Sequence, residues 1–300
     1  ILHRPVRGDL LRPASIETAR RALLERRAGR VRPGLDDKVL TEWNALMLAA
    51  LAEAAAATGD ATWARAAVAN GEFLLAELRD ERGRWLRSWQ PGAEDGPGRA
   101  RHRAYAHDHA ALVDAFTRLG ELTGEARWTA EAAATAEAML DLFSDDERGG
   151  LFTTGHDAEA LITRPKDLMD NATPSAQSSA AVALLRLGAL TGDTRHVDAA
   201  ERILALLGPL AGEHPTAFGH LLTAVDLHTA GITEVVVVGD RPDLVDVVRS
   251  AWRPHAVLAW GEPGDSPLWA GRTPGHAYVC HHFACRQPAT KPEELQAQLA

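Results

Sequence analysis

The stretch Ala57-Thr58-Gly59-Asp60-Ala61-Thr62-Trp63 returns twice in the chain. It comes back as Leu122-Thr123-Gly124-Glu125-Ala126-Arg127-Trp128 and as Leu190-Thr191-Gly192-Asp193-Thr194-Arg195-His196. Asp80-Glu81-Arg82-Gly83 likewise returns as Asp146-Glu147-Arg148-Gly149. A spacing of this size marks a repeat architecture. Each copy reads as one helix ending and the next beginning. A glycine enters the left-handed region at little steric cost, and the acidic residue after it caps the following helix. Glu125 is the poorer cap, so the middle copy is the weaker one.

Ala- and Leu-rich segments with helical spacing flank each copy. They predict inner helices near 41–58, 105–122, 174–190 and 215–230, and outer helices near 15–28, 62–78, 126–142 and 195–210. Gly83–Trp89 and Gly150–Thr154 read as short strands. Helix pairs in tandem with β-hairpins at one rim point to an α/α toroid, with a solenoid of helix pairs as the alternative. After Gly231 the pattern changes. Val235-Val236-Val237-Val238-Gly239-Asp240 reads as a buried strand, followed by a helix near 242–252 and a strand at 256–260. Gly239 stands in no GxGxxG loop, which argues against a nucleotide site.

Composition narrows the function. The net charge of −9 argues against nucleic acid as a general partner. Nine arginines among residues 1–34 are the local exception and read as a solvated helix face. No apolar run reaches the length of a membrane span and no signal peptide is visible, so the expected location is cytoplasmic. Cys280 and Cys285 are the only two cysteines. CxxxxC is not a zinc spacing, so no metal is expected. Buried or facing thiols in a small β element are favoured, and a redox pair stays open.

Four stretches carry a family resemblance: DDKVLTEWNALMLAALAEA from Asp36, GGLFTT from Gly149 continuing through ALITRPKDLMDNATPSAQSSAAVALLRL, the VVVVGD strand, and AYVCHHFACRQPATKPEEL from Ala277. Together they resemble the thioredoxin-domain-containing family of spermatogenesis-associated protein 20 and its bacterial YyaL-like relatives. The resemblance implies a mainly α fold, part of an (α/α)6 toroid similar to glycosidases and N-acylglucosamine 2-epimerases. It also implies an N-terminal thioredoxin-like domain. Because the chain opens at Ile1 in what reads as mid-domain sequence, it is expected to start beyond that domain and the first hairpins. The expected organisation is a partial toroid over 1–231 and a small α/β element packed on it over 232–300.

In a toroid the inner helices run the same way, so the loops before them ring one mouth. Asp36-Asp37-Lys38, Tyr105 to His109 and Asp170 to Ser175 precede successive inner helices. Repeat symmetry is expected to gather Asp37, Asp108 and Asp170 on that rim. Such a mouth suits a hydroxyl-rich ligand, with Trp43 and Tyr105 stacking on a ring. Asp37, Asp108 and His109 are the candidate acid–base residues. Asp36, Lys38, Trp43, Asn44, Tyr105, His107, Arg164, Asp170 and Ser175 are the candidate binding residues. Plain capping by the aspartates, core positions for Trp43, Trp63 and Trp128, and pairing of Arg164 and Lys166 with Asp167 or Asp170 fit the same pattern. Two functions follow. One is a sugar isomerase-like or glycosidase-like enzyme without a cofactor. The other is a non-catalytic scaffold or ligand-binding module for a thioredoxin-like partner domain. With about four helix pairs where a closed ring needs six, the apolar side of helix 15–28 (Ile16, Ala19, Leu23, Leu24) is expected to be uncovered and prone to self-association.

Overall fold

The computed structural model describes residues 13–92, 96–160 and 162–299. It divides into two compact units, residues 1–37 and 38–300. Ile1 and three of the nine arginines (Arg4, Arg7, Arg12) lie outside the described residues. In the first unit α1 (Ala14–Ala28) forms as expected but buries none of its residues. Ile16, Leu23 and Leu24 are all more than half exposed.

The larger unit is built on the repeat. The inner helices are α2 (Thr41–Thr58), α4 (Ala106–Thr123), α6 (Ala176–Thr191) and α8 (Gly219–Ala230). The outer helices are α3 (Ala61–Glu77), α5 (Ala126–Phe143) and α7 (Thr194–Glu213). Each inner helix packs on the next inner one, and α2, α4 and α6 each pack on the outer helix that follows. This is the arrangement of an α/α toroid arc. The turns obey the glycine reading: Gly59, Gly124 and Gly192 end α2, α4 and α6 at φ of 71°, 71° and 76°. Asp60 and Asp193 then cap α3 and α7 through Thr62 N (2.7 Å) and Arg195 N (3.0 Å). Glu125 makes no such bond. Glu262, from far along the chain, accepts from Ala126 N at 3.1 Å and takes over that role.

One core runs through the array, centred on Leu48, Leu74, Phe116, Trp128, Met139 and Leu184. Three short strands, β1 (Val39–Leu40), β2 (Leu86–Gln90) and β3 (Arg99–Arg103), form an antiparallel sheet in the order β1-β2-β3. The strand expected at Gly150–Thr154 does not form. Gly149 and Gly150 both have positive φ. The backbone of Leu151 is satisfied instead by the Gln177 side chain, which bonds its N–H at 2.9 Å and its carbonyl at 2.6 Å.

Beyond α8, β4 (Thr233–Val237) pairs in parallel with β5 (Ala256–Trp260) across α9 (Pro242–Arg249). The sequence reading did not resolve β6 (Ala277–His281), β7 (Ala284–Cys285) or α10 (Pro292–Leu299), which complete a sheet in the order β5-β4-β6-β7. Strand alternation gives this sheet two buried faces. Val235 and Val237 meet Leu244 and Leu295 of the covering helices, while Val236 meets Ala189, Leu190 and Leu268. Cys280 and Cys285 face each other in the β6–β7 register and are joined as a disulfide. That corrects the expectation of facing thiols.

The α/β element docks on the C-terminal ends of the inner helices for a polar reason. The last carbonyls of a helix lack intrahelical donors. Arg249 donates to the carbonyls of Glu121 and Leu122 at 2.7 and 2.8 Å, and Trp260 Nε1 to that of Glu121 at 2.8 Å. Ser266 does the same for Leu190 at 2.5 Å. A side chain at Gly124 would meet the Trp260 ring at 3.0 Å, so the turn glycine also permits the close approach.

Candidate functional site at the inner-helix N-terminal rim

At the opposite ends of these helices the free groups are N–H donors, and carboxylates meet them. Asp108 lies in the first turn of α4. Its Oδ1 accepts from Glu42 N in α2 at 3.0 Å, and its Oδ2 accepts from Tyr105 N at 2.7 Å and Arg87 Nη1 at 3.0 Å. Asp170 repeats the device one hairpin pair along. Its Oδ1 accepts from Ser175 N, at the start of α6, at 2.8 Å, and its Oδ2 from His220 N, at the start of α8, at 2.7 Å. Each aspartate thus ties the starts of two neighbouring inner helices, and the two share one rim. Asp36 and Asp37 belong to the smaller unit, and Lys38 opens the larger one. All three are exposed loop residues.

The electrostatics follow from burial. Asp108 is fully buried, and burial pushes its carboxyl above the usual range against the pull of Arg87. Burial alone would also raise Asp170, but the N–H donors of Ser175, His220 and Leu221 outweigh it and hold the carboxyl low. His109 is fully buried beside Phe143. Its Nδ1 donates to the Tyr105 carbonyl at 2.9 Å, and its Nε2 accepts from Arg84 Nη1 at 3.2 Å. A carbonyl only accepts and a guanidinium only donates, so the tautomer is settled by its partners. Burial, helped by Arg84, lowers the imidazole to about 4. His109 is therefore a neutral ring with both nitrogens engaged.

The rim divides the remaining candidates. Arg164 donates to the carbonyls of Leu142 and Thr154 and stacks on Phe152. Lys166 pairs with Asp145 at 2.7 Å. Neither meets Asp167 or Asp170, contrary to the sequence reading. Ser175 caps α6 through Ser178 N, and Asn44 donates to the Leu40 carbonyl. Trp128 is core, but Trp43 is 62% exposed and Trp63 41%, so these two are not. Tyr105 is partly exposed with Arg87 stacked on its ring at 4.6 Å. His107 Nε2 meets Asp167 Oδ2 at 3.0 Å. A carboxylate accepts, so Nε2 carries the proton, and in the neutral ring the lone pair sits on Nδ1. Sequence reasoning missed Asp167 as a functional candidate. The signal was its place inside Lys166-Asp167-Leu168, a stretch that carried the family resemblance.

Among the described residues, one cluster elsewhere has metal-like composition: Glu137, Asp193 and the buried His196 hold ligand atoms within 4.8 Å of one another. Arg195 already bonds both carboxylates, Glu137 at 2.9 Å and Asp193 at 2.5 Å, and supplies the cation there.

An array of helix hairpins whose inner helices open on one rim defines the α/α toroid class. Within that class the chain is similar to human spermatogenesis-associated protein 20, with 29% identity over 92% of this chain and 38% of that protein. The rat counterpart is 27% identical over 95% of this chain and 39% of its own length. The chain is thus homologous to part of spermatogenesis-associated protein 20 and spans well under half of these curated relatives. It matches no protein-family model. Among solved structures, cellobiose 2-epimerase from Spirochaeta thermophila superposes with a TM-score of 0.47 at 17% identity, over 65% of this chain and 55% of that one. Unsaturated glucuronyl hydrolase from Bacillus sp. GL1 gives 0.47 at 19% identity, over 64% and 56%. Among the described residues no helix is long and apolar enough to cross a membrane.

Proposed function

We propose that the helix array is a small-molecule binding module whose N-terminal rim takes a hydroxyl-rich ligand of the carbohydrate class. In this reading it is the ligand-binding part of a longer, cytoplasmic protein that also carries a thioredoxin-like domain. The observation that carries the reading is a contrast within one rim. Asp108 and His109 are enclosed and fully engaged by protein groups. Trp43, at the start of α2, and Tyr105, at the start of α4, present ring surface to solvent. Aromatic faces suit sugar binding, whereas a saturated acid and a neutral, doubly bonded imidazole do not suit proton transfer. Saturation-transfer NMR against neutral monosaccharides and disaccharides tests it. Binding is expected for the parent chain and is weakened about tenfold by Trp43→Ala or Tyr105→Ala, the loss of roughly 1.4 kcal/mol. Binding unaffected by both substitutions sinks the reading.

A second reading, an isomerase-like or epimerase-like activity, is favoured by the His107–Asp167 pair alone. A base oriented by a carboxylate is the geometry that proton abstraction requires. Deuterium incorporation from D2O into a bound sugar, abolished by His107→Gln, is the outcome that supports it. Self-association through Ile16, Leu23 and Leu24 belongs to the same set of proposals, and light scattering that gives a monomer mass rejects it.

A further inference from the structure

We infer that the Cys280–Cys285 bond is a thiol–disulfide exchange site, at which an incoming dithiol attacks Cys285 and Cys280 is the sulfur that leaves. The two cysteines lie directly opposite each other on β6 and β7, and β7 is an edge strand of its sheet. Arg286 N donates to the Val279 carbonyl at 2.9 Å, one step along the same ladder. Bonded and non-bonded pairs alternate in an antiparallel ladder, so 280 and 285 form a non-hydrogen-bonded pair, where side chains come closest. The bond joins residues only 5 apart in sequence. A loop this short gains the least from cross-linking, so the bond is a poor staple for the fold.

The surroundings treat the two sulfurs differently. Cys280 is fully buried, among Val236, Leu268 and Tyr278. Cys285 is half-buried on the edge strand, and its Sγ accepts from Arg272 Nη2 at 2.8 Å. Arg272 is held in place there. Its Nε donates to the Leu268 carbonyl at 2.8 Å, and its guanidinium lies over the Tyr278 ring at 4.7 Å. A guanidinium beside a sulfur favours the thiolate. On the other side of Cys280, directly opposite it on β4, stands the buried Glu234. Burial pushes the Glu234 carboxyl above the usual range, against the Phe283 N–H and the charges of His282 and His281. The outer sulfur thus has a cation beside it and the inner one an acid. The turn adds a further push. His282 and Phe283 sit at φ of 49° and 62°, in the left-handed region, and neither is a glycine. The closed hairpin therefore carries backbone strain that opening the bond can relieve.

In the exchange, one thiol of the reductant loses its proton to solvent and attacks Cys285 Sγ. A mixed disulfide forms and the Cys280–Cys285 bond breaks. Cys280 leaves with the electron pair and takes a proton from Glu234. The second thiol of the reductant, deprotonated in turn, attacks its own partner sulfur in the mixed disulfide and releases Cys285 as a thiolate beside Arg272. Two electrons pass from the dithiol, which ends as a disulfide, to the cysteine pair, which ends as one thiol and one thiolate. Glu234 recovers its proton from solvent. The site lies on the α/β element and does not depend on what the rim binds.

The test uses the full chain in native buffer with dithiothreitol as the dithiol. The chain has only these two cysteines, so alkylation followed by intact mass reads the site directly. Reduction of the folded chain is expected to run at least about tenfold faster than reduction of the chain unfolded in urea. A bond kept only for structure behaves the other way, because folding shields it. Arg272→Gln is expected to slow alkylation of Cys285 by iodoacetamide in the reduced chain about tenfold at pH 7, and Arg272→Lys to restore most of it. Glu234→Gln is expected to slow reduction severalfold and to leave alkylation of Cys285 unchanged. Cys280→Ser is expected to capture glutathione as a mixed disulfide, and Cys285→Ser is not. The comparison of folded with unfolded chain needs no variant, so it decides the matter even where a substitution unfolds the sheet. The inference is overturned if the thiols do not close under oxidised glutathione, if folding does not speed the reduction, or if Cys285→Ser is the variant that captures glutathione.

Discussion

The two ends of the inner helices solve opposite problems. At the N-terminal rim the exposed backbone groups are N–H donors, and buried aspartates meet them: Asp108 across α2 and α4, Asp170 across α6 and α8. At the C-terminal end the exposed groups are carbonyls, and Arg249, Trp260 and Ser266 of the α/β element meet those. The charges follow the helix dipole at both ends. What differs is the surplus. The rim leaves aromatic faces and one oriented histidine over, whereas the other end leaves arginine donors over.

Removing the rim staple is the most damaging test of that comparison. Asp108→Ala leaves two buried N–H groups without an acceptor and Arg87 with only Glu42, 3.8 Å away, so a loss of about 3–5 kcal/mol is expected in urea unfolding. A loss under about 1 kcal/mol means that Asp108 is not structural, and the acid–base role of the rim comes back into consideration. The next effect is pH-dependent. His109 titrates near 4 in the folded chain and near 6.5 when unfolded. The unfolded state then binds the proton more readily, so stability is full above about pH 6.5, falls as pH drops toward 4, and is flat below that. The span is about 3 kcal/mol. His109→Gln is expected to remove this slope, and an unchanged acid limb breaks the assignment of His109 as a buried neutral ring.

At the other end, Arg249→Met keeps much of the stem but removes the donors to Glu121 and Leu122. About 2 kcal/mol is expected, since bonds from a charged donor are worth roughly 1.5–3 kcal/mol. Limited proteolysis is expected to release the segment after Ala230 first. Equal protection in parent and variant shows that the capping does not hold the element. The smallest effect sharpens the repeat itself. Asp193→Ala removes a cap and is expected to cost about 1 kcal/mol, whereas Glu125→Ala, with no cap bond to lose, is near neutral. Asp193 titrates at about 2 because Arg195 bonds it. Its share is therefore present above the unfolded value near 3.9 and is lost as pH falls through 2. Equal costs for the two substitutions contradict the reading of the middle turn as the weak copy.

Several features were already decided by the sequence. Glycine followed by an acid at a fixed spacing sets where helices stop and restart, because φ preference and capping act over a few residues. That local chemistry placed three inner and two outer helices of the larger unit to within a residue or two, placed the start of α7 to within one residue and its end three residues short, and marked Glu125 as the defective cap. The runs of Val at 235–238 set a buried strand for the same short-range reason. The tertiary structure alone decided the rest. Whether Asp108 and His109 act on a ligand or on the scaffold depends on Glu42, Arg84 and Arg87, which come from other elements. The pairing of His107 with Asp167 joins residues 60 apart in sequence. Glu262 capping α5 and Arg253 left without an acceptor depend on how the α/β element docks. A side chain's protonation and spare hydrogen-bonding capacity are properties of its three-dimensional neighbours, and no period or motif in the chain encodes them.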